Sequence, residues 1–469
     1  MKIDKLHLHN FKCFEDNSFE FHPDFNLFIG ENGSGKTAFL TALKHSIKSF
    51  IFDITNIQNN YMVRDEFLRI VGHKLRKKLS FEKVLPCKIR FSVQIFNKHL
   101  EYEIQRDKEL VYNPVNLYDS FRVGFEGVIM DGGEFDDGKN NIIFHKKEHQ
   151  ELQKLIDESV RQGKISRINL PLLAYYDINR HKQEREDLIY RLDGNKTLKG
   201  EGYLNPNNFG LGIYQSSFEA GLSIQEFINW FAEESWAEYQ SESEQEDLVF
   251  KKAKQAILNC LDGSTYIDFS AKEKQIIIGF SDNYQLFSNL SDGQKNILLL
   301  IGDIARKMIQ LNPHLGERVL EETEGIVMID ELDLHLHPKW QRKIVRDLKR
   351  TFPKIQFFTT THSPQIVSSV KSSFLFFLSN EGGKINCKKK DYTYGLNSNW
   401  VLKHIMGAES RPIEVQNQIN EIEKIIHNDM VGLQEIQDAR KKLEELRTIV
   451  VDDEIVFLDT LISTLENPE

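Results

Sequence analysis

The chain has 469 residues, enough for two or three domains and a large core. Its 40% apolar and 28% charged content is that of an ordinary soluble protein, and a formal net charge of −10 argues against a surface that coats nucleic acid throughout. No run approaches the roughly 18 apolar residues needed to span a bilayer, the N-terminus MKIDKLHLHNF lacks the apolar core of a secretory signal, and Cys13, Cys87, Cys260 and Cys387 form no C-x-x-C pair. A cytoplasmic protein with no membrane partner, zinc site or disulfide framework is expected.

From Lys2 to Phe14 the apolar residues Ile3, Leu6, Leu8, Phe11 and Phe14 alternate imperfectly, as in a strand that breaks into a short connection. Phe19 to Phe21 and Phe25 to Ile29 are further strand candidates. GENGSGKT, Gly30 to Thr37, then fits G-x-x-x-x-G-K-[ST] at every constrained position, with a buried strand before it and the helical AFLTALKHSI after it. Glycines let successive N–H groups face inward and the helix adds its positive end, so Asn32, Gly33, Ser34, Gly35 and Lys36 are candidates to cradle a triphosphate. Lys36 would reach the β and γ phosphates, and the Thr37 hydroxyl would be one oxygen ligand of Mg²⁺.

KIRFSVQIFNKHLEYEIQRD alternates as two strands of a hairpin joined near Asn97. The basic run at Lys74, Arg76, Lys77 and Lys78 could meet phosphates or form a solvated face. Dense turn residues between Tyr112 and His149 suggest an insertion with mobile loops. LPLLAYYDINR is expected to be a buried strand, whose polar end brings Asp177 and Arg180 either towards a ligand crevice or into a surface loop. Between Ser217 and Leu261 the spacing of Ile224, Phe227, Ile228 and Phe231 predicts helix, with Trp230 and Trp236 expected in the core. YIDFS and KQIIIGF read as short strands.

LSDGQ, Leu290 to Gln294, places a helix N-cap at Ser291, and by itself it is an ordinary capped helix. In EGIVMIDELDLHLHP a buried strand ends at Asp330, where a carboxylate can hold Mg²⁺ through water, and Glu331 follows where it can reach attacking water. His335 and His337 lack the further ligands that a metal site needs. KIQFFTTTHSPQ repeats the strand with a polar end and sets His362 at its tip. After a turn and helix in YTYGLNSNWVLKHIMG, Pro412 to Leu465 reads as two or three amphipathic helices.

GENGSGKT, LSDGQ, VMIDE and TTTHSPQ, in that order, resemble the ABC-type ATPases shared by RecF, Rad50, chromosome-maintenance and OLD-family proteins. LSDGQ is similar to the LSGGQ signature, with Asp292 in place of a glycine, and NFKCF resembles the RecF and Rad50 side rather than transporters. LPLLAYYDINR, SIQEFINWFAEE, ELDLHLHP and YGLNSNWVL resemble the small PtuA ATPases of Septu-type and retron-associated anti-phage systems.

The resemblance implies an α/β ABC-ATPase head, with a P-loop sheet, an N-terminal antiparallel β subdomain, a helical insertion and a C-terminal helical tail. The expected divisions are 1–110, 111–250, 251–410 and 411–469. It further implies ATP and Mg²⁺ as cofactors. Glu331 and His362 would be catalytic, Thr37 and Asp330 would serve the metal, and Ser291, Gly293 and Gln294 would complete the ATP site of a second copy. A homodimer or a larger assembly of dimers is expected, working with a separately encoded HNH endonuclease (PtuB-like) and with phage DNA or another nucleic acid. No D-x-D pair of an OLD-type nuclease follows His362, so no intrinsic nuclease is expected. The alternative is a stand-alone, ATP-dependent DNA-repair clamp resembling RecF.

Overall fold

The computed structural model describes residues 1–54, 65–75, 78–95, 98–106, 134–136, 141–144, 169–178, 180, 224–240, 244–281, 283–389, 392–408, 411–427, 432–450 and 452–466. Its central element is a six-stranded sheet. Strands β3 (Phe25–Ile29), β10 (Leu172–Tyr176), β14 (Gly325–Ile329) and β15 (Ile355–Thr360) are buried along their whole length. Continuous apolar runs of this kind belong to parallel strands covered on both faces. The order is β10-β14-β15-β3-β16-β17, where β16 spans Leu375–Glu381 and β17 spans Lys384–Lys388. All neighbours are parallel except the closing β16–β17 hairpin, so Ile29, Ile329 and Thr360 end at the same edge.

The N-terminal lobe is a separate antiparallel sheet. It contains β1 (Lys2–Phe11), β2 (Phe14–Glu20), β6 (Cys87–Ile95), β7 (Lys98–Arg106), β8 (Glu134–Asp136) and β9 (Asn141–Phe144), in the order β2-β1-β6-β7-β9-β8. Strands β6 and β7 pair antiparallel up to Ile95 and Lys98, the two arms of the expected hairpin. The lobe meets helix α1 (Lys36–Ile54) through aromatic packing: Phe39 lies 5.0 Å from Phe19 of β2 and 4.0 Å from Phe28 of the central strand β3, between ring centroids. The basic run is drawn into a hairpin that was not foreseen, β4 (Arg69–Leu75) with β5 (Lys78–Val84). The side chains of Lys74, Arg76, Lys77 and Lys78 lie outside the described residues, as does most of the insertion at 112–149.

Helices α2 (Ile224–Gln240) and α3 (Glu244–Cys260) and a small sheet of β11 (Ser264–Ser270), β12 (Gln275–Phe280) and β13 (Asn283–Leu286) lead into the long helix α4 (Asp292–Leu311). Trp230 is buried as expected, but Trp236 is 58% exposed and stacks on exposed Tyr239. Six positions at 100° each carry Trp236 off the apolar stripe that holds Phe227, Trp230 and Phe231, which explains the correction. Helix α4 is tied to β10 by a buried ionic cluster. Asp303 accepts from Tyr176 Oη at 2.8 Å and pairs with Arg306 at 2.7 Å and Lys307 at 2.8 Å. The two cations outweigh the burial and hold the Asp303 carboxyl well below the usual carboxylate range.

The chain divides into two units, 1–395 and 396–469. In the second, three amphipathic helices, α7 (Ile413–Ile426), α8 (Leu433–Arg447) and α9 (Asp453–Glu466), pack Ile419, Ile422, Leu443, Leu446, Leu458 and Ile462 into one core. Arg440 joins α8 to α9 through Glu466 at 2.6 Å. Two short helices between β14 and β16, α5 (Ile344–Thr351) and α6 (Pro364–Ser368), belong to the first unit.

Candidate nucleotide site

The loop after β3 turns through Gly33 and Gly35, and Gly35 has a φ of +95° that favours glycine. A Cβ there would also meet Cys13 Sγ at 3.0 Å. Lys36 opens α1 with 8% exposure and donates from Nζ to Gly30 O at 2.8 Å and Glu31 O at 3.0 Å. Burial lowers its pKa, and the charges of Asp330, Glu331 and Asp333 oppose that fall. Ser34 Oγ is buried without a hydrogen-bond partner, a polar atom that a phosphate oxygen would satisfy. Asn32 and Gly33 are exposed at the loop tip.

The second component ends β14. Asp330 is 2% exposed; Oδ2 accepts from Thr37 Oγ1 at 3.0 Å and Oδ1 accepts from Thr360 Oγ1. Thr360 Oγ1 in turn accepts from the Glu331 N–H at 2.8 Å. Glu331 has a φ of +51°, an uncommon conformation for a residue with a Cβ. Asp333 Oδ1 accepts from Thr361 Oγ1 at 2.5 Å and from the His362 N–H at 3.2 Å, which fastens the turn after β15 to the turn after β14. Lys36, Thr37, Asp330, Glu331 and His362 are thus assembled at one sheet edge. Neither the Glu331 carboxylate nor the His362 imidazole is hydrogen-bonded to another described residue, which leaves both available to a substrate.

Thr360, Asp333 and Asn296 were not singled out from sequence, although the threonines preceding His362 and the acid three residues after Asp330 were in plain view. Arg180 does not lie in a surface loop, the second of its two expected positions. It is 1% exposed and lies against the backbone of the β14 turn, donating to Asp330 O at 2.7 Å and Glu331 O at 2.8 Å.

Ser291, Gly293 and Gln294 form a different locus. Ser291 caps α4 through a reciprocal box: its N–H donates to Gln294 Oε1 at 2.9 Å, and Gln294 N–H donates to Ser291 Oγ at 3.3 Å. Gly293 is needed for close packing, since a Cβ would stand 2.6 Å from His335 O and 3.0 Å from the Trp340 ring. Trp340 is itself fixed by Asp262, at 3.0 Å from its indole N–H. This helix end, Asp262 and the 335–340 segment line an open recess of about 780 Å³ in which no residue of the 30–37 loop takes part. His337 caps the turn Pro338–Gln341 by accepting from the Lys339 N–H at 3.3 Å. Among the described residues no group of three His, Cys, Asp or Glu side chains is placed to hold a metal alone.

The Thr37 hydroxyl beside the Asp330 carboxylate supplies the sparse oxygen set that Mg²⁺ takes at phosphate sites, so these two residues would hold it. The AAA ATPase domain family matches residues 1–367. The chain belongs to this AAA ATPase family. Over 154 residues it is 41% identical to the Retron Ec83 probable ATPase of Escherichia coli, covering 32% of this chain and 27% of that protein. Over 425 residues it is 25% identical to the Retron Vc95 probable ATPase of Vibrio cholerae, covering 79% and 72%. Over 228 residues it is 31% identical to Septu protein PtuA of Bacillus mycoides, covering 47% and 30%. The matches therefore span less than a third of the Ec83 ATPase and of that PtuA. The family match falls wholly within the first unit.

Proposed function

We propose that this AAA ATPase is the regulatory subunit of an anti-phage defence complex, closing as a dimer around ATP and controlling a separately encoded HNH nuclease. The carrying observation is the separation of two half-sites: the 30–37 loop sits with Asp330, Glu331 and His362, whereas Ser291, Gly293 and Gln294 open onto another recess. A capped helix end with free first-turn N–H groups is an anion site, and the phosphate that fits it would be carried by the partner copy. The likeness to PtuA and to the retron ATPases supports the defence setting.

In this reading Lys36 and the loop N–H groups bind the β and γ phosphates. Glu331 orients a water molecule and accepts its proton as the water oxygen bonds to the γ phosphorus. The bond from phosphorus to the β–γ bridging oxygen breaks, and ADP leaves with that electron pair. His362 donates to a γ oxygen and holds it in line. Mg²⁺, held by Thr37 and Asp330, would neutralise charge on the phosphates. Loss of the γ phosphate removes contacts across the interface, so the dimer relaxes and the nuclease changes state.

Mixing two inactive chains tests the shared site. Lys36→Ala removes the ammonium of the phosphate loop and Ser291→Arg blocks the helix end. A dimer of one of each contains one intact composite site, so the mixture should regain ATPase activity that neither variant has. A mixture as inactive as its components would refute the arrangement.

A further inference from the structure

Arg180 is among the largest fully buried side chains, yet among the described residues it contacts no other charged side chain by hydrogen bond. Its fork is spent on backbone and on one amide. Nη1 donates to Asp177 O at 3.1 Å and Asp330 O at 2.7 Å, Nη2 donates to Glu331 O at 2.8 Å, and Nε reaches Asn296 Oδ1 at 3.4 Å. Asn296, on α4, donates to Leu334 O at 2.6 Å. Three elements therefore converge on one guanidinium: the end of β10, the turn after β14, and the helix whose first residues form the second half-site.

Backbone at a positive φ is strained for a residue with a Cβ and persists only where its surroundings over-determine it. At Glu331 both flanking peptide groups are held: the N–H by Thr360 Oγ1 and the carbonyl by Arg180. We propose that Arg180 is a positioning residue, fixing the left-handed turn that aims the Glu331 carboxylate and linking that turn through Asn296 to helix α4. Two successive carbonyls are gripped by separate nitrogens of a planar group, a task that a lysine ammonium on a single stem cannot repeat. Burial pulls the guanidinium pKa down to about 10, which leaves it cationic at neutral pH, opposite Asp330, Glu331 and Asp333. The linkage also gives engagement of α4 by a partner's nucleotide a path of direct bonds to the backbone turn that carries the same chain's own carboxylate.

This inference rests on Glu331 as the residue that orients water, and the test separates the two. Steady-state ATPase kinetics and nucleotide affinity are measured for Arg180→Lys in the wild-type and Glu331→Gln backgrounds, with thermal melting as the folding control. Arg180→Lys should lower kcat at least tenfold in the wild-type background, leave nucleotide affinity within twofold, and change the residual rate of Glu331→Gln less than twofold. An equal loss in both backgrounds, or a loss matched by weaker nucleotide binding, overturns the role of Arg180 alone. Full activity in Glu331→Gln overturns the assignment of Glu331 and the inference with it. Should Arg180→Lys fail to fold, Asn296→Leu is read in the same two backgrounds. It should lower kcat about threefold only where Glu331 is present, and any other pattern counts against the linkage.

Discussion

Gly293→Ala isolates the second half-site without touching the first. The added Cβ would stand 2.6 Å from His335 O and 3.0 Å from Trp340 Cζ3, where ordinary contact begins at 3.4 Å. His335 O is backbone and Trp340 is pinned to Asp262, so neither can move freely aside. The first turn of α4 must shift, at an overpacking cost of about 1–3 kcal/mol. In a chain of this size that lowers the melting temperature by only a few degrees, roughly in line with the size scaling of unfolding entropy. A displaced Ser291 no longer meets a partner's phosphate, so turnover should fall by an order of magnitude or more, while a fluorescent ATP analogue binds the 30–37 loop as in wild type. Binding and phosphate release measured on one preparation decide the matter. Wild-type turnover in Gly293→Ala would show that the packing of the helix end against 335–340 has no bearing on hydrolysis.

Lys36→Ala should lose nucleotide affinity by at least tenfold in an equilibrium titration, because the buried ammonium lies at the start of the loop helix. Asp303→Asn removes the anion of buried Lys307 and leaves buried Arg306 only Glu226 at 3.6 Å, and urea unfolding should show a loss of about 3–5 kcal/mol at pH 7. Since the native Asp303 pKa is depressed, its stabilisation is complete above the unfolded value of about 3.9 and fades as pH falls below it, so wild type and variant should converge in acid. Leu443→Ala empties a fully buried position among the three C-terminal helices and should cost about 2–5 kcal/mol, read by chemical unfolding of the helical unit.

Apart from LSDGQ, which was read as a helix cap, the motifs that could be read in sequence share one property: each is a strand followed at once by its functional turn. GENGSGKT, VMIDE and TTTHS carry their geometry within about ten residues, and the parallel sheet collects their ends because parallel strands finish on one side. Arg180 could be seen but not interpreted, since its partners Asp330 and Glu331 are about 150 positions away and are met through backbone atoms. Trp236 was misread for a simpler reason, a residue judged by type rather than by its angle on the helix. The β4–β5 hairpin was hidden because its basic composition masks the alternation that marks a strand.

The position of β3 in the central sheet has a consequence for biosynthesis. Leu27 pairs on one side with Thr359 and on the other with Leu375, partners more than three hundred residues downstream. A growing chain can make the phosphate loop early, but the strand leading into it stays without either neighbour until those later segments emerge. Long-range pairing of this kind is slow to form, because the loop between the partners must be closed first. Nascent fragments ending before Thr359 therefore lack the framework that sets Lys36 opposite Asp330. The sheet edge that brings Lys36 to Asp330 is completed only in chains synthesised through both halves of the head.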